Sequence, residues 1–560
     1  MEYLLLAIVC VCFLAAVFLR EAYQAKKREK LFIASLSENY GKIPKKEYSL
    51  ERYARMDSFY RRHKRDGQVD DITWNDLDMD SLFQRMDSTM SASGEEYLYY
   101  TLRNTACTEE ELLHMEEAVA FFMLREKERV QVQRLVHRLG HTGKFSLYDY
   151  LDNLDYLGER SSKKHILCDF LFVPLLLAVP FLLAPSLFGI ALLAVYNIVT
   201  YFREKSEIEP YLVSFDYVLR LLAVCEKLKK VSVSACEEEW ERMRRHASEL
   251  KSVRSGSFLV LSGNRGGSTG NPLDILFDYI KMIFHVDIIW FYRMLHKLRG
   301  HLEDVDGLIA CVGYVETAIA VGAFRRSLGN GYCIPVFAKE SDLTLKEGYH
   351  PLIANPIKNS IEAERGVLLT GSNASGKSTF LRMVAVNVIL AQTIHTCAAE
   401  FYRAPFYAIY SSMALRDSLE SGESYYMVEI RSLKRVLDAV GKSDRPVLCF
   451  VDEVLRGTNT VERIAAASQI LMSLTAGRVQ CFAATHDIEM TQLLEGKYDN
   501  YHFEEEVKDG DITFPYLLQK GRATTRNAIR LLQIMGYDED ITLQATKRAE
   551  HFVETGLWEI

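Results

Sequence analysis

The chain has 560 residues, of which 49% are hydrophobic, and its formal net charge is −8. This length allows several domains with large cores. Its eleven cysteines are scattered and odd in number, and only Cys10 and Cys12 come close to a pair. The composition therefore excludes a disulfide framework and a cysteine-rich zinc site, which suits a reducing cytoplasm.

An uninterrupted apolar run from Tyr3 to Leu19 has the length of a transmembrane helix. A cleaved signal peptide is the alternative, but the run is long for the apolar core of a signal, and the start Met1-Glu2 lacks basic residues. We therefore predict an uncleaved transmembrane anchor at residues 1–20, with its basic flank in the cytoplasm. That flank consists of Arg20, Lys26, Lys27, Arg28 and Lys30.

Residues 21–164 form a predicted cytoplasmic helical region, with apolar spacings of three and four in stretches such as 112–124. A basic stretch at residues 52–65 interleaves arginine and lysine with Tyr53 and Phe59. Such a stretch suits phosphates of nucleic acid or anionic lipid headgroups. A solvated helix face explains it equally well.

A second apolar tract, Phe170–Phe202, is long enough for two short spans with a turn at residues 184–186. Basic residues flank it on both sides, namely Lys163, Lys164, Arg203 and Lys205. A transmembrane helical hairpin at residues 165–203, with both ends in the cytoplasm, satisfies the positive-inside rule. The alternative is a buried helical pair in a soluble core, because each half is only just long enough to cross. Residues 204–345 are predicted to be a helical, lever-like region.

A phosphate-binding loop follows an apolar strand in the last region, residues 346–560. Gly371 and Gly376 fit the G-x-x-x-x-G-K-[ST] spacing, in which backbone N–H groups face phosphate oxygens at a helix start. Lys377 is predicted to reach the β- and γ-phosphates, and Ser378 to offer its hydroxyl to Mg²⁺. The other predicted nucleotide-binding residues of the loop are Ser372, Asn373, Ala374, Ser375 and Thr379. The loop predicts a nucleoside triphosphate site.

Two further apolar runs lead to candidate catalytic side chains. The run 446–451 leads to Asp452 and Glu453, and the run 479–485 leads to His486. Buried parallel strands deliver such residues to one edge of a sheet. We predict that Asp452 holds Mg²⁺ through water, that Glu453 polarises the attacking water, and that His486 hydrogen bonds the γ-phosphate.

Four motifs follow one another in the chain, at residues 371–379, 417–429, 452–460 and 484–486. In order and spacing they resemble the ATPase domain of the MutS family of DNA mismatch-repair proteins, over about residues 346–535. The chain departs from the family where the usual Met-Gly of the phosphate loop is replaced by Ala374-Ser375. Because Gly376 and Lys377 remain, this change is tolerable.

The resemblance implies a segment that reaches across a dimer to the partner's γ-phosphate, formed by Ser421, Gly422, Glu423 and Ser424. It also implies that Arg456, Gly457 and Thr458 belong to a loop that links two ATP sites. His350 lies in a His-Pro stretch that is similar to the family's stretch near the adenine.

We therefore expect an α/β P-loop NTPase domain of the ABC type, preceded by a mostly α-helical region with transmembrane helices. The resemblance implies Mg²⁺-dependent hydrolysis of ATP by a homodimer, with Glu453, His486 and Lys377 in catalytic roles. It implies that duplex or structured DNA is gripped between the arms of the dimer. The predicted location is the cell membrane, with several spans and the ATPase domain in the cytoplasm.

Discrimination of mismatched DNA is not expected. Mismatch readers of the family carry an N-terminal domain with a Phe-x-Glu wedge, and here a predicted anchor takes that place. Literal Phe-x-Glu matches at 202–204, 503–505 and 552–554 flank a predicted span or lie beyond His486.

Three other classes of protein share some of these features. An ABC transporter also combines membrane helices with such an ATPase, but three short spans are few, and Ser421–Ser424 departs from the transporter signature. A long coiled-coil ATPase is excluded because the chain has no sustained heptads. A membrane-anchored, ATP-switched scaffold that binds protein or lipid and no DNA stays open.

Overall fold

A computed structural model of the chain describes residues 2–142, 145–158, 161–254, 279–339, 342–372, 375–413, 425–456, 458–508, 511–523 and 528–558. The chain divides into two compact units. The first unit comprises residues 1–63, 87–100 and 117–324, and the second comprises 64–86, 101–116 and 325–560. The second unit thus begins before the predicted boundary at residue 346, and it also takes two segments from the predicted region 21–164.

The α-helices are, in chain order, Glu2–Glu38, Leu50–Met56, Ser58–Arg62, Asp71–Asp76, Met79–Met86, Ala92–Arg103, Glu109–Leu124, Glu126–Val136, Leu147–Asp152, Lys163–Phe170, Phe172–Ala178, Leu183–Leu228, Glu237–Glu249, Lys251–Arg254, Val286–Leu298, Leu302–Leu328, Lys377–Ile394, Tyr425–Val440, Thr460–Ser473, Met490–Leu493, Ala528–Ile534 and Glu539–Thr555. Short 3₁₀ helices lie at Leu154–Leu157 and Ser234–Cys236.

The strands are β1 (Val336–Phe337), β2 (Leu343–Gly348), β3 (Asn359–Ala363), β4 (Gly366–Thr370), β5 (Phe401–Ala404), β6 (Ala408–Ser412), β7 (Val447–Asp452), β8 (Val479–Ala484), β9 (Tyr498–Phe503), β10 (Glu506–Lys508), β11 (Asp511–Thr513) and β12 (Leu518–Lys520). They form a six-stranded sheet of order β12-β9-β4-β8-β7-β6, a four-stranded sheet of order β1-β5-β2-β3 and the hairpin β10-β11. All twelve belong to the second unit.

The first unit, as far as it is described, is helical. The predicted anchor at residues 1–20 lies in the helix Glu2–Glu38, which continues without a break into the predicted cytoplasmic region. The longest helix is Leu183–Leu228, with 46 residues. It runs through the predicted boundary at residue 203, so the tract and the following region share one element.

The apolar tract 170–202 turns at a different place from the predicted one. The helices Phe172–Ala178 and Leu183–Leu228 flank a turn at residues 179–182, so the predicted turn at 184–186 is wrong. Pro185 fits into the first turn of a helix because its missing N–H has no partner to lose there. The helix Phe172–Ala178, with 7 residues, is too short to cross a bilayer.

Two helices of the described residues are long and apolar enough to cross a membrane, by length and composition alone. One is the stretch Leu183–Glu209, whose most apolar window is 11% buried. The other is Leu302–Leu328, whose window is 89% buried. Only the first of them overlaps a predicted membrane span.

The central sheet of the second unit is built on the predicted apolar runs. β4, β7 and β8 are buried along their lengths, and β4 pairs in parallel with β8 on one side and β9 on the other. β7 pairs in parallel with β8 and β6, and only β12 at the edge is antiparallel. Continuous apolar strands are typical of parallel sheets that are covered on both faces.

The segment 64–86 supports the end of β6, which the sequence did not reveal. Asp76 is buried, and its Oδ2 accepts hydrogen bonds from the Ser411 hydroxyl at 2.6 Å and from the Met413 N–H at 2.9 Å. Asp70 accepts two hydrogen bonds from Arg435, both of 2.8 Å. A short helix far away in sequence therefore anchors the strand that precedes residues 414–424.

The basic stretch 52–65 is partly paired with acidic side chains. Arg52 Nε lies 2.5 Å from Glu95 Oε1, and Arg62 lies 2.5 Å from Asp152. His63 Nε2 lies 2.8 Å from Asp306 Oδ2. Arg61, Arg62, Lys64 and Arg65 are exposed, so the stretch combines acid-paired and solvent-exposed basic side chains.

Candidate functional site

The predicted site residues meet at one edge of the central sheet. β4, β8 and β7 are adjacent and parallel, with Leu369 opposite Ala484 and Ala484 opposite Asp452. Their carboxyl ends therefore lead out side by side. The phosphate loop, His486 and the two acids follow these three strands.

The two glycines of the phosphate loop occupy backbone conformations that other residues rarely adopt. Gly371 has φ 142° and Gly376 has φ 107°. A Cβ on Gly371 would lie 2.7 Å from the carbonyl oxygen of Phe503, which is too close for any side chain. The loop then enters the helix Lys377–Ile394 directly after Gly376. Such a helix start favours anions through its free N–H groups.

Lys377 is buried, and its ammonium group donates hydrogen bonds of 2.8 Å to the carbonyl oxygens of Gly371 and Ser372. Burial lowers the pKa of Lys377, whereas the nearby carboxylates of Asp452 and Glu453 oppose that shift. The ammonium group is thus held inside the phosphate loop.

Ser378 and Asp452, the two residues predicted to hold Mg²⁺, are in contact. The Ser378 side chain hydrogen bonds Asp452, and burial raises the pKa of the Asp452 carboxyl. Within the described residues, its Oδ1 atom is buried without a hydrogen-bond partner. A hydroxyl beside a carboxylate with one unused oxygen fits Mg²⁺, which takes few protein ligands and completes its shell with water and phosphate. No cluster of three or more His, Cys, Asp or Glu side chains suited to a metal occurs in this described part.

Glu453 is held by His486 and Arg456. Its Oε1 lies 2.6 Å from His486 Nε2, and its Oε2 lies 2.7 Å from Arg456 Nε. The hydrogen bond from His486 is the main cause that lowers the pKa of Glu453. The backbone of Glu453 is left-handed, with φ 55°, and its N–H donates to the Ala484 carbonyl at 2.9 Å. The predicted pair of Glu453 and His486 is therefore in direct contact.

A cavity of about 740 Å³ lies over the phosphate loop and contains the predicted residues Ser372, Ser375, Gly376, Lys377, Ser378, Thr379, His350 and Glu453 in its wall. His350 is buried, which lowers its pKa to about 4, and its Nδ1 accepts a hydrogen bond from the Leu352 N–H. The neutral imidazole stands in the wall of the cavity, and its place near the adenine stays a prediction.

Several residues that line the cavity were not predicted from the sequence. Phe514, Pro515 and Tyr516 form an aromatic wall, and Tyr516 Cδ1 would lie 3.1 Å from a Cβ on Gly376. Glu505 accepts a hydrogen bond of 2.9 Å from the Ser372 hydroxyl at the loop. The aromatic residues at positions 514 and 516 are visible in the sequence, but their spacing matches no motif that indicates nucleotide binding.

Several predicted residues lie outside the described part of the chain. They are Asn373, Ala374, Gly457 and the whole segment Ser421, Gly422, Glu423 and Ser424. The described site therefore consists of the phosphate loop, Asp452, Glu453 and His486 of a single chain.

The family model of MutS domain V matches residues 367–553. This range contains β4, the phosphate loop, the acids and His486, so the matched region coincides with the site geometry. His350 and the segment 64–86 lie before it.

Curated relatives match the C-terminal half of the chain. The DNA mismatch repair protein MutS of Streptococcus uberis is 30% identical over 260 residues, which is 44% of this chain and 30% of the relative. The MutS proteins of Aquifex pyrophilus and Thermus thermophilus are 32% and 31% identical over 273 and 237 residues. These stretches cover 46% and 41% of this chain and 31% and 28% of the relatives. The chain thus spans about three tenths of the length of these relatives.

Proposed function

The chain belongs to the MutS family through its domain V, and on that premise we propose that it hydrolyses ATP to ADP and phosphate with Mg²⁺. The single observation that carries this proposal is the setting of Glu453. Its carboxylate stands in the wall of the cavity over the phosphate loop and is oriented by His486. A site that only bound nucleotide would not need this oriented acid.

The phosphate loop and Lys377 bind and orient the triphosphate. ATP would draw the Lys377 ammonium from the carbonyls of Gly371 and Ser372 toward the β- and γ-phosphates, since phosphate offers a full negative charge. Ser378 and Asp452 would hold Mg²⁺, which neutralises charge that develops on the phosphate oxygens. Most of the rate would come from such positioning and charge neutralisation.

Glu453 orients the attacking water. Because the pKa of Glu453 is lowered, the carboxylate stays ionised at neutral pH and can accept a hydrogen bond from water. The water oxygen attacks the γ-phosphorus, the bond to the β-phosphate oxygen breaks, and the water proton passes to Glu453 or on to solvent. His486 holds the carboxylate in place.

Two substitutions separate binding from chemistry. Lys377→Ala should weaken ATP binding, whereas Glu453→Gln should keep ATP binding and slow hydrolysis by roughly 100-fold, because only water activation is lost. The measurements are nucleotide affinity and phosphate release by the detergent-solubilised protein. Glu462→Gln, an exposed acid in the following helix, is the matched control. Wild-type turnover by Glu453→Gln would show that Glu453 is not the catalytic acid.

The proposed assembly is a homodimer in which Ser421–Ser424 of each chain complete the partner's ATP site. Ser424→Arg should then abolish hydrolysis without unfolding the monomer, and mixing it with Lys377→Ala should restore part of the activity. In a mixed dimer, the phosphate loop of the Ser424→Arg chain and residues 421–424 of the Lys377→Ala chain would form one intact ATP site. A fully active wild-type monomer in sedimentation analysis would rule the composite site out.

The proposed ligand is duplex or structured DNA without mismatch specificity, and ATP would open or close the grip. Short duplex DNA should stimulate hydrolysis, and binding to duplexes with and without one G·T mismatch should differ by less than about tenfold, or ~1.4 kcal/mol. Affinity should fall steeply with salt, as expected for phosphate contacts. Failure of any DNA to bind or stimulate would favour the ATP-switched scaffold.

Membrane attachment is proposed for residues 1–20 and for the tract 165–203, with the ATP site in the cytoplasm. The support is the exposed apolar surface of Leu183–Glu209, a surface that water solvates poorly. Deleting residues 1–20 and replacing 166–202 with a short polar linker should move the protein to the soluble fraction. Full-length protein that is soluble without detergent would contradict this part of the proposal.

A further inference from the structure

The loop after the two acids needs an external support. Glu453 has φ 55° and Leu455 has φ 57°, so two non-glycine residues within three positions are left-handed. Side chains make this conformation unfavourable, and it persists only where surrounding contacts enforce it. Whatever holds Leu455 therefore also fixes how Glu453 presents its carboxylate.

Glu429 provides that support from a different element. Its side chain is 3% exposed, and its Oε1 accepts a hydrogen bond from the Leu455 N–H. The N–H of Arg456 also faces this carboxylate, and burial raises the pKa of Glu429. A buried acceptor aimed at two successive amides of a strained loop is a specific contact and cannot be replaced by water.

The helix that carries Glu429 is itself firmly placed. Leu433 and Val436 of Tyr425–Val440 pack into the core cluster with Cys449 and Val451 of β7. Glu429 lies in the second turn of that helix, which starts immediately after residues 421–424 in the chain. One helix, packed in the core with β7, thus carries the carboxylate that contacts the loop of Glu453.

We propose that Glu429 is a positioning residue. It holds the Leu455 amide and thereby keeps Glu453 and Arg456 in place at the cavity. The inference rests on the proposed ATP hydrolysis. Glu429 itself does not touch the nucleotide cavity.

Two substitutions of similar size test this role in the full-length, detergent-solubilised protein. Glu429→Gln keeps an oxygen that can accept from Leu455, whereas Glu429→Met keeps the volume but removes the acceptor. We expect Glu429→Gln to stay within about threefold of the wild-type kcat and Glu429→Met to lose roughly tenfold or more, with KM for ATP unchanged in both. In the double variant with Glu453→Gln, Glu429→Met should cause no further loss, because it acts through Glu453.

Hydrogen exchange of the Leu455 amide gives a readout that does not depend on hydrolysis. The amide should be protected in the wild type and in Glu429→Gln and exchange faster in Glu429→Met. Equal kcat values for Glu429→Met and the wild type, equal losses for both variants, or a change in KM alone would overturn the proposal. A wild type that protects this amide but does not hydrolyse ATP would refute the proposed function and leave the Glu429 contact intact.

Discussion

Leu183–Glu209 and Leu302–Leu328 are equal in length and nearly equal in mean hydropathy, yet their surroundings are opposite. The first exposes its apolar side chains, and the second is almost wholly enclosed. The hydropathy of a helix shows that its side chains avoid water, but it does not show whether protein or lipid surrounds them. Small and polar residues in an apolar helix therefore indicate, better than hydropathy does, that protein surrounds the helix.

The enclosed helix carries such residues at close contacts. A Cβ on Gly313 would lie 2.3 Å from Tyr97 Cβ, and one on Gly307 would lie 2.4 Å from His246 Nε2. Glu316 of the same helix is buried and accepts a hydrogen bond from the Met90 N–H at 2.6 Å. In the exposed helix, large side chains point outward instead, namely Leu187, Phe188, Leu192, Val195, Val199 and Phe202.

The largest expected difference comes from placing one carboxylate on each helix. Val312→Asp buries an unpaired charge where the side chain is fully enclosed, so it should destabilise the protein by more than about 4 kcal/mol and prevent folding. Leu192→Asp should leave the melting temperature in detergent within a few degrees but weaken retention in membranes, at a cost of roughly 3 kcal/mol. Thermal melting and membrane fractionation measure the two effects. Equal melting temperatures of the two variants would contradict the expected difference between the two helices.

Two histidines repeat the comparison with a titratable group. Burial lowers the pKa of His350 from 6.5 to about 4, so its folded form binds the proton less readily than the unfolded form. The stability from neutral His350 is present above pH 6.5 and is lost as the pH falls toward 4, by up to roughly 3 kcal/mol at ~1.4 kcal/mol per pH unit. Against the wild type, His350→Gln should therefore flatten the loss of stability in acid. Chemical denaturation across this pH range measures it.

His63 should show the opposite sign. Burial lowers its pKa, but the hydrogen bond and charge of Asp306 outweigh burial and raise the pKa overall. The stability from this pair is therefore present below pH 6.5 and is lost as the pH rises through the raised value. His63→Gln should cost stability at pH 6 and less at pH 9, by about 1 kcal/mol at most because the pair is partly solvated. Parallel pH profiles for the two variants would contradict this assignment.

The smallest pair of changes adds one methyl group to each apolar helix. Gly313→Ala should destabilise by about 1–3 kcal/mol, because Tyr97 Cβ and the Ser93 carbonyl leave no room for a Cβ. Gly189→Ala should be neutral or stabilising by up to ~1 kcal/mol, because the nearest atom is the movable Cδ2 of Leu175 at 3.0 Å and alanine favours helix. Melting temperatures in one detergent compare them. Effects of the same sign would show that both helices are packed alike.

The arrangement of the candidate site at the sheet edge was predictable because local motifs determine it. A strand, a glycine loop and an acid pair each carry a short-range signal, and parallel pairing then brings Lys377, Asp452 and His486 together. The support from Asp76 and Glu429 was not predictable as such, because a buried carboxylate that accepts backbone N–H groups leaves no periodic pattern. The turn at 179–182 was missed because the predicted turn was placed around Pro185, although proline suits a helix start.

The helix Leu183–Leu228 has a mechanical consequence. Its 46 residues correspond to about 69 Å at 1.5 Å per residue, which is twice the hydrocarbon thickness of a bilayer. Pro210 provides no N–H for the carbonyl of Ser206, so bending stiffness is lowest just beyond the apolar arm. If the apolar arm lies in a membrane, as proposed, a tilt imposed on it by bilayer thickness would reach residue 228 only as far as the helix resists bending at Pro210.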